Sequence, residues 1–201
     1  MFERDQQDLL TDYLSGKVEV KVFEDSCRLW PNYHTDYKPL LDFAKDSSLK
    51  VIASNVPRRY ANLLYKRGRL AIDSLSSDEK KWMAPYDFYV DTTLSQYASL
   101  LDMGQHMGGG NLMLAQAFKD ATMAKFTLLD KEKGDKVIHF NGAFHSDYHQ
   151  GIIWYIEQGD PDATIMSIST VSQKSVKKLD KDNLGKADFI ICVDEDMTST
   201  H

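Results

Sequence analysis

Cysteine is scarce in this chain: Cys27 and Cys192 are the only two among 201 residues. Their separation excludes a C-x-x-C redox or zinc site, and a chain of this length can bury a core without disulfide staples. Cys192 follows Phe189-Ile190-Ile191 and reads as a buried strand residue. No apolar run is long enough to span a bilayer. Met1 leads straight into Phe2-Glu3-Arg4-Asp5-Gln6, so a signal peptide is not expected. Long basic runs are missing too. Pro57-Arg58-Arg59, Lys66-Arg67 and Lys177-Lys178 are short, and the formal charge is -6 with a pI near 5.5. That balance excludes a nucleic-acid partner held by a basic face. Several catalytic signatures are absent. There is no G-x-S-x-G elbow and no G-x-G-x-x-G fingerprint, and Gly108-Gly109-Gly110 lacks the Lys-Ser/Thr of a phosphate loop.

What is present is a strongly patterned mixture of helix and strand. Phe2, Leu9, Leu10, Tyr13 and Leu14 recur at helical spacing up to a stop at Ser15-Gly16. Alternation at Val18, Val20 and Val22 predicts an edge strand over Lys17–Glu24. After the aromatic loop Arg28 to Tyr37, Asp36 is placed to cap a helix from Tyr37 to Lys45. Lys50 to Ser54 reads as a buried strand, followed by Asn55 and a helix opening at Pro57 and ending near Arg67. Residues 76–130 read as a helical insertion interrupted at the triple glycine. Val137–Phe140, Thr164–Val171 and Asp188–Val193 complete the predicted strands. The expectation is one α/β domain over residues 1–201.

The stretch from His139 to Ile156, HFNGAFHSDYHQGIIWYI, is the densest in chemistry. It follows a predicted strand, and in open α/β sheets ligands collect where a strand's carboxyl end turns into the next helix. His145 and His149 would share one face if the segment were helical, a spacing suited to a divalent metal, although Ser146 stands where a zinc protease needs Glu. The alternative makes His145 a turn residue bonded to backbone and His149 an exposed helix residue. Met103, Met107, Met113 and Met123, with His106, read as core or as the wall of a pocket for a large apolar ligand. Haem is one such ligand. It needs a Tyr or His beside the iron and Arg near its propionates, and Tyr148 or a histidine with Arg58 or Arg59 could supply these.

The ordered blocks Met1 to Gln7, Trp30-Pro31-x-Tyr33 with Asp36-Tyr37, Asn55-Val56-Pro57-Arg58-Arg59-Tyr60-Ala61, Ala115-Gln116 with Lys119 to Ala124, and Gly142-Ala143-Phe144-His145 resemble the motifs of the ChaN-type haem-binding lipoproteins. These belong to a superfamily with the erythromycin esterases and the Tiki proteases. The resemblance implies a three-layer α/β/α domain with a mostly parallel sheet and a helical insertion. It also implies a role in haem or iron uptake at the bacterial cell envelope. Its G-x-x-H motif falls on His145, with Glu3 as a possible carboxylate, and Asn55, Arg58, Gln116 and Asp120 in motifs facing the same cleft. Haem or a related porphyrin is the implied ligand, and a homodimer sharing it is plausible.

The family's earlier Gly-Glu-x-His segment and lipoprotein signal have no counterpart here. The chain is therefore expected to lack an N-terminal segment, to leave a sheet edge unpaired, and to meet a membrane only through a lipid anchor it does not carry. The leading expectation is haem binding without turnover. His145, Tyr148 or His149 would supply the iron ligand, with Tyr33, His34 and Tyr37 in reserve. Asn55, Arg58, Arg59, Gln116 and Met123 would line the site. The alternative is a hydrolase in which His145 acts as base or metal ligand and Glu3 or Asp120 positions water. A structural or partner-binding role is the third.

Overall fold

In the computed structural model, which describes residues 2–106, 111–129 and 131–198, helix predominates over strand. A 3-10 turn, Arg4–Gln6, runs into α1 (Gln7–Leu14), and the chain turns at Gly16 with φ +77°, where the sequence places a stop. The predicted edge strand over Lys17–Glu24 is instead helical, as α2 (Val20–Ser26). Val20 and Val22 stay exposed while Phe23 is fully buried, stacked on Tyr13 at 4.4 Å between ring centroids. One aromatic anchor therefore outweighs the local β-propensity of the valines.

A π-turn, Tyr33–Tyr37, leads to α3 (Lys38–Asp46), with Pro39 in its first turn. Asp36 does not cap it; its carboxylate accepts from the Asn32 amide at 2.6 Å. Beyond Pro57 come α4 (Arg58–Arg67) and α5 (Arg69–Asp73). α6 (Ser77–Lys80) begins with a capping box in which Ser76 and Glu79 satisfy each other's backbone. α7 (Ser95–His106) and α8 (Leu112–Leu128) fill the rest of the predicted helical region. Met107, Gly108-Gly109-Gly110, Asp130 and the side chain of His106 lie outside the described residues.

α8 is the central element. Ala115, Ala117, Phe118, Ala121, Thr122, Met123, Ala124 and Phe126 are all buried, covering nearly its whole circumference. A helix with so little polar face belongs inside, and α4, α7 and α9 (Ile152–Gly159) pack against it. Its alanines let these neighbours approach closely, while Phe118 fills the space between α4 and Phe88. Each large side chain fully buried here contributes about 1.5–3 kcal/mol of hydrophobic stabilisation. A second core joins Leu10, Tyr13, Phe23, Tyr33 and Leu41 at the N-terminal side.

The strand component is smaller than predicted. β1 (Ile168–Gln173) and β2 (Phe189–Asp194) pair in parallel, Ile168 opposite Phe189 through Gln173 opposite Asp194. The predicted strands at 50–54 and 137–140 form no ladder. The first is occupied by side chains: Gln7 donates to the Val51 carbonyl at 3.0 Å and accepts from the Ala53 amide at 2.8 Å. Only an isolated parallel bridge, Glu3 to Asn55, follows it. At the second, Val137, Ile138 and Phe140 are exposed, and none of them has a backbone partner among the described residues. The fold is thus mixed helix and strand, with a short parallel sheet.

Cys192 is not the buried strand residue expected. Cys192 is half-exposed on β2, whereas Cys27 is buried, and burial, reinforced by Glu3 and Asp5, pushes its thiol up to about 11. Only the thiolate attacks, so Ellman's reagent at pH 8 is expected to titrate one fast and one slow thiol per folded chain. Cys192→Ser should abolish the fast phase. Equal rates for both thiols would show that the N-terminal core is open.

Candidate functional site

The central stretch is not a helix. Ala143–His145 and Asp147–His149 are separate 3-10 turns, and Tyr148 and His149 both have positive φ, 61° and 56°. Two anchors hold this strained path. The buried Asp147 carboxylate accepts from Ser169 of β1 at 2.8 Å, and its carbonyl accepts from the Gln96 amide at 3.1 Å. Gln150 accepts from the Gln96 backbone at 2.9 Å at the start of α7. Positive φ in non-glycine residues persists only where the surroundings over-determine it.

This path separates the two histidines that the sequence pairs. His149 Nε2 lies 3.1 Å from Ser167 Oγ and 3.3 Å from Asp188, beside the starts of β1 and β2. The Asp188 carboxyl is held low by hydrogen bonds from Ser167 first, with His149 adding to them. His145 turns instead toward α8, so the shared helical face expected for His145 and His149 is not formed. No group of three or more His, Cys, Asp or Glu suited to a metal occurs among the described residues.

His145 meets a buried carboxylate. Its Nδ1 is hydrogen-bonded to Asp120 Oδ1 and lies 2.8 Å from the Gln116 amide nitrogen. Gln116 and Asp120 are four residues apart and therefore share one face of α8. Asp120 is 0% exposed, and its second oxygen accepts from the Tyr97 hydroxyl at 2.7 Å. Burial raises the Asp120 carboxyl, and the bonds from His145 and Tyr97 oppose that rise. Burial and the neighbouring Asp120 charge push the Tyr97 hydroxyl far up, so it remains a donor. We assign the ring proton to Nδ1, donating to Asp120; the Gln116 amide, turned about its own axis, then presents its oxygen to that N–H, and Nε2 has no hydrogen-bond partner among the described residues. The His145 side chain is 22% exposed, so it reaches the surface from an enclosed base.

A second chain of polar groups lies at the ends of the two segments that lack ladders. Ser54 Oγ lies 3.0 Å from His139 Nε2, and His139 Nδ1 lies 3.1 Å from Asn141 Oδ1. Asn141 in turn donates to Ser146 Oγ at 2.9 Å. Burial lowers the His139 pKa and favours the neutral ring. Asn55 sits next to Ser54, and its Oδ1 is buried without a partner among the described residues. Glu3 bridges to Asn55 and pairs with Arg28 at 3.1 Å.

The remaining predicted residues divide clearly. Arg59 is committed: it pairs with Asp5, donates to Tyr60 Oη at 3.2 Å and covers the Tyr60 and Trp82 rings. Arg58, one residue earlier, is exposed and has no ion pair among the described residues. Tyr148 projects its ring into solvent while its backbone N–H donates to Lys186. Met123 is placed in the core with Ile152 and Ile156, away from any rim. Tyr97, Ser54 and His139 belong to the site and were not singled out by sequence. His139 could have been found as the polar residue ending an apolar run. Tyr97 carries no local signal, because only the packing of α7 on α8 brings it to Asp120.

A model of the family described as haem-binding uptake, Tiki superfamily, ChaN matches residues 1–156. No curated protein and no solved structure matches the chain.

The matched segment contains the whole His145 arrangement, whose tightest point is Gly151. Its φ is +56°, and an added Cβ would sit 2.3 Å from the His145 carbonyl oxygen and 3.1 Å from Asp120. Gly151→Ala is expected to lose about 2 kcal/mol or more in urea unfolding, from backbone strain plus this clash. Gly134→Ala shares the positive φ but meets nothing within 4 Å, so it should lose less. Equal losses would show that the turn relaxes around the new methyl.

Proposed function

Because the chain belongs to the ChaN family of haem-binding uptake proteins within the Tiki superfamily, we propose that it binds haem at His145 and serves haem or iron acquisition at the bacterial cell envelope. The observation that carries this reading is the orientation of His145, fixed at Nδ1 by a fully buried Asp120 and without a hydrogen-bond partner at Nε2 among the described residues. A metal-ligating imidazole characteristically donates its other N–H to such a carboxylate, which fixes the tautomer and strengthens the ligand.

The residues present fit the group. Nε2 of His145 offers a nitrogen donor. Phe140, Phe144 and Tyr148 expose aromatic surface on the same stretch, and Arg58 offers a cation. Haem, when bound, would supply an iron, a broad apolar ring and two propionate carboxylates. The chain's part is to present one lone pair, cover an apolar face and pair the carboxylates. The solvent-facing run Val137 to Phe140 supports a ring lying at the surface, with a second copy of the chain covering its other side as a homodimer. The parallel pairing of β1 and β2, close to two predicted strands, supports a three-layer α/β/α organisation.

The Asp120–His145 pair also favours a second reading, in which His145 acts as general base in a hydrolase of the esterase or Tiki protease type. The test that separates them is a haemin titration followed at the Soret band. Wild type is expected to saturate, His145→Ala to lose about tenfold or more in affinity with an altered spectrum, and Tyr148→Phe to leave the ligand signature unchanged. A spectrum altered by Tyr148→Phe and not by His145→Ala would move the ligand to the neighbouring turn. No saturable shift in wild type would favour the hydrolase, to be assayed with esters and peptides.

A further inference from the structure

Lys119 adjoins the proposed site on α8, one residue before Asp120, and its ammonium has no hydrogen bond or ion pair among the described residues although the residue is half-buried. Unpaired charge removed from water is costly, so such groups are normally paired or held for a ligand. Burial lowers the Lys119 pKa, the Asp120 charge opposes that, and a nearby cation, Arg58, lowers it further. Asp120 makes its hydrogen bonds to His145 and Tyr97 and none to Lys119.

The helix geometry independently brings Arg58 to Lys119. Asn111, which precedes α8, donates to the Leu64 and Tyr65 carbonyls at 3.3 and 3.2 Å, so the end of α4 abuts the start of α8. Tyr60, Ala61 and Leu64 share a core with Ala115, Phe118 and Ala121, so the two helices continue along each other in opposite senses. From Tyr65 back to Arg58, and from Asn111 forward to Lys119, each run covers about 10–12 Å at ~1.5 Å per residue. The two residues therefore stand at about the same level of the paired helices, close enough for Arg58 to act on the Lys119 charge, and Lys119 is one helical turn from Gln116. Arg58 also opens α4, whose free N–H groups add positive character at that point.

We infer that Arg58 and Lys119 form a carboxylate subsite beside His145, and that its ligand is the propionate edge of the porphyrin. This rests on the haem reading and sharpens it. The planar Arg58 fork suits one carboxylate, and Lys119 provides a point charge already partly stripped of water. Arg59, bound to Asp5, plays no part.

The test compares two probes, haemin and its dimethyl ester, on wild type, Arg58→Gln and Lys119→Gln, with melting curves of the haem-free proteins. Wild type is expected to bind haemin on the order of tenfold or more tighter than the diester, the scale of a charge-assisted hydrogen bond. Each variant should weaken haemin binding and narrow that gap while leaving diester affinity unchanged. Lys119→Gln should hold or raise the melting temperature, because it removes an unpaired charge. Equal wild-type affinity for both probes would overturn the subsite and leave the haem reading standing. Variants that weaken both probes alike would also overturn it, as would a lower melting temperature for Lys119→Gln, which would mark that lysine as satisfied within the fold. If neither porphyrin binds, the haem reading falls and the subsite falls with it.

Discussion

A single carboxylate sets the terms for the centre of this molecule. Asp120 lies on the most buried helix with no exposure to water, and only hydrogen bonds can make that tolerable. Tyr97 provides one from α7, and His145 provides the other from the turn after Gly142. Each partner is drawn from a different part of the chain. Satisfying Asp120 thus requires α7, α8 and the central stretch to be in place together. Gly151 belongs to the same constraint, since no side chain fits between the His145 carbonyl and Asp120.

The electrostatics follow from this arrangement. A histidine held at Nδ1 by an enclosed carboxylate has its proton and ring orientation decided before any ligand arrives. The neighbouring cations stand in the opposite condition. Arg58 and Lys119 have no fixed partner among the described residues, whereas Arg59 is locked by Asp5 and two aromatic rings. One edge of the site is therefore prearranged, and the other keeps positive charge uncompensated.

The sequence was most informative where chemistry was local. Gly16 and Pro57 punctuate helices as expected, and the apolar run of α8 identifies a central helix. Both paired strands lie close to the predicted ones, because runs such as Phe189 to Val193 carry a plain β pattern. Tertiary effects decided the rest. α2 forms where alternation suggested a strand, since only Phe23 needed burial. The pairing of His145 with His149 presumed a regular helix, and the positive φ angles at Tyr148 and His149 send the two rings to different partners. Arg58 and Arg59 could not be separated without seeing Asp5. Asp120 and Gln116 were legible through family resemblance, whereas Tyr97 became visible only through packing.

The amide of Gln7, bonded to both Val51 and Ala53, acts as a molded seal over the segment at 50–54. It satisfies the backbone groups that an incoming strand would seek, so a newcomer there must first evict it. The segment Val137 to Phe140 has no comparable seal among the described residues. One of the two segments is therefore guarded and the other open. A strand approaching this face would meet occupied backbone groups at Val51 and Ala53 and unoccupied ones at Val137 to Phe140, a difference that rests on a single glutamine of α1.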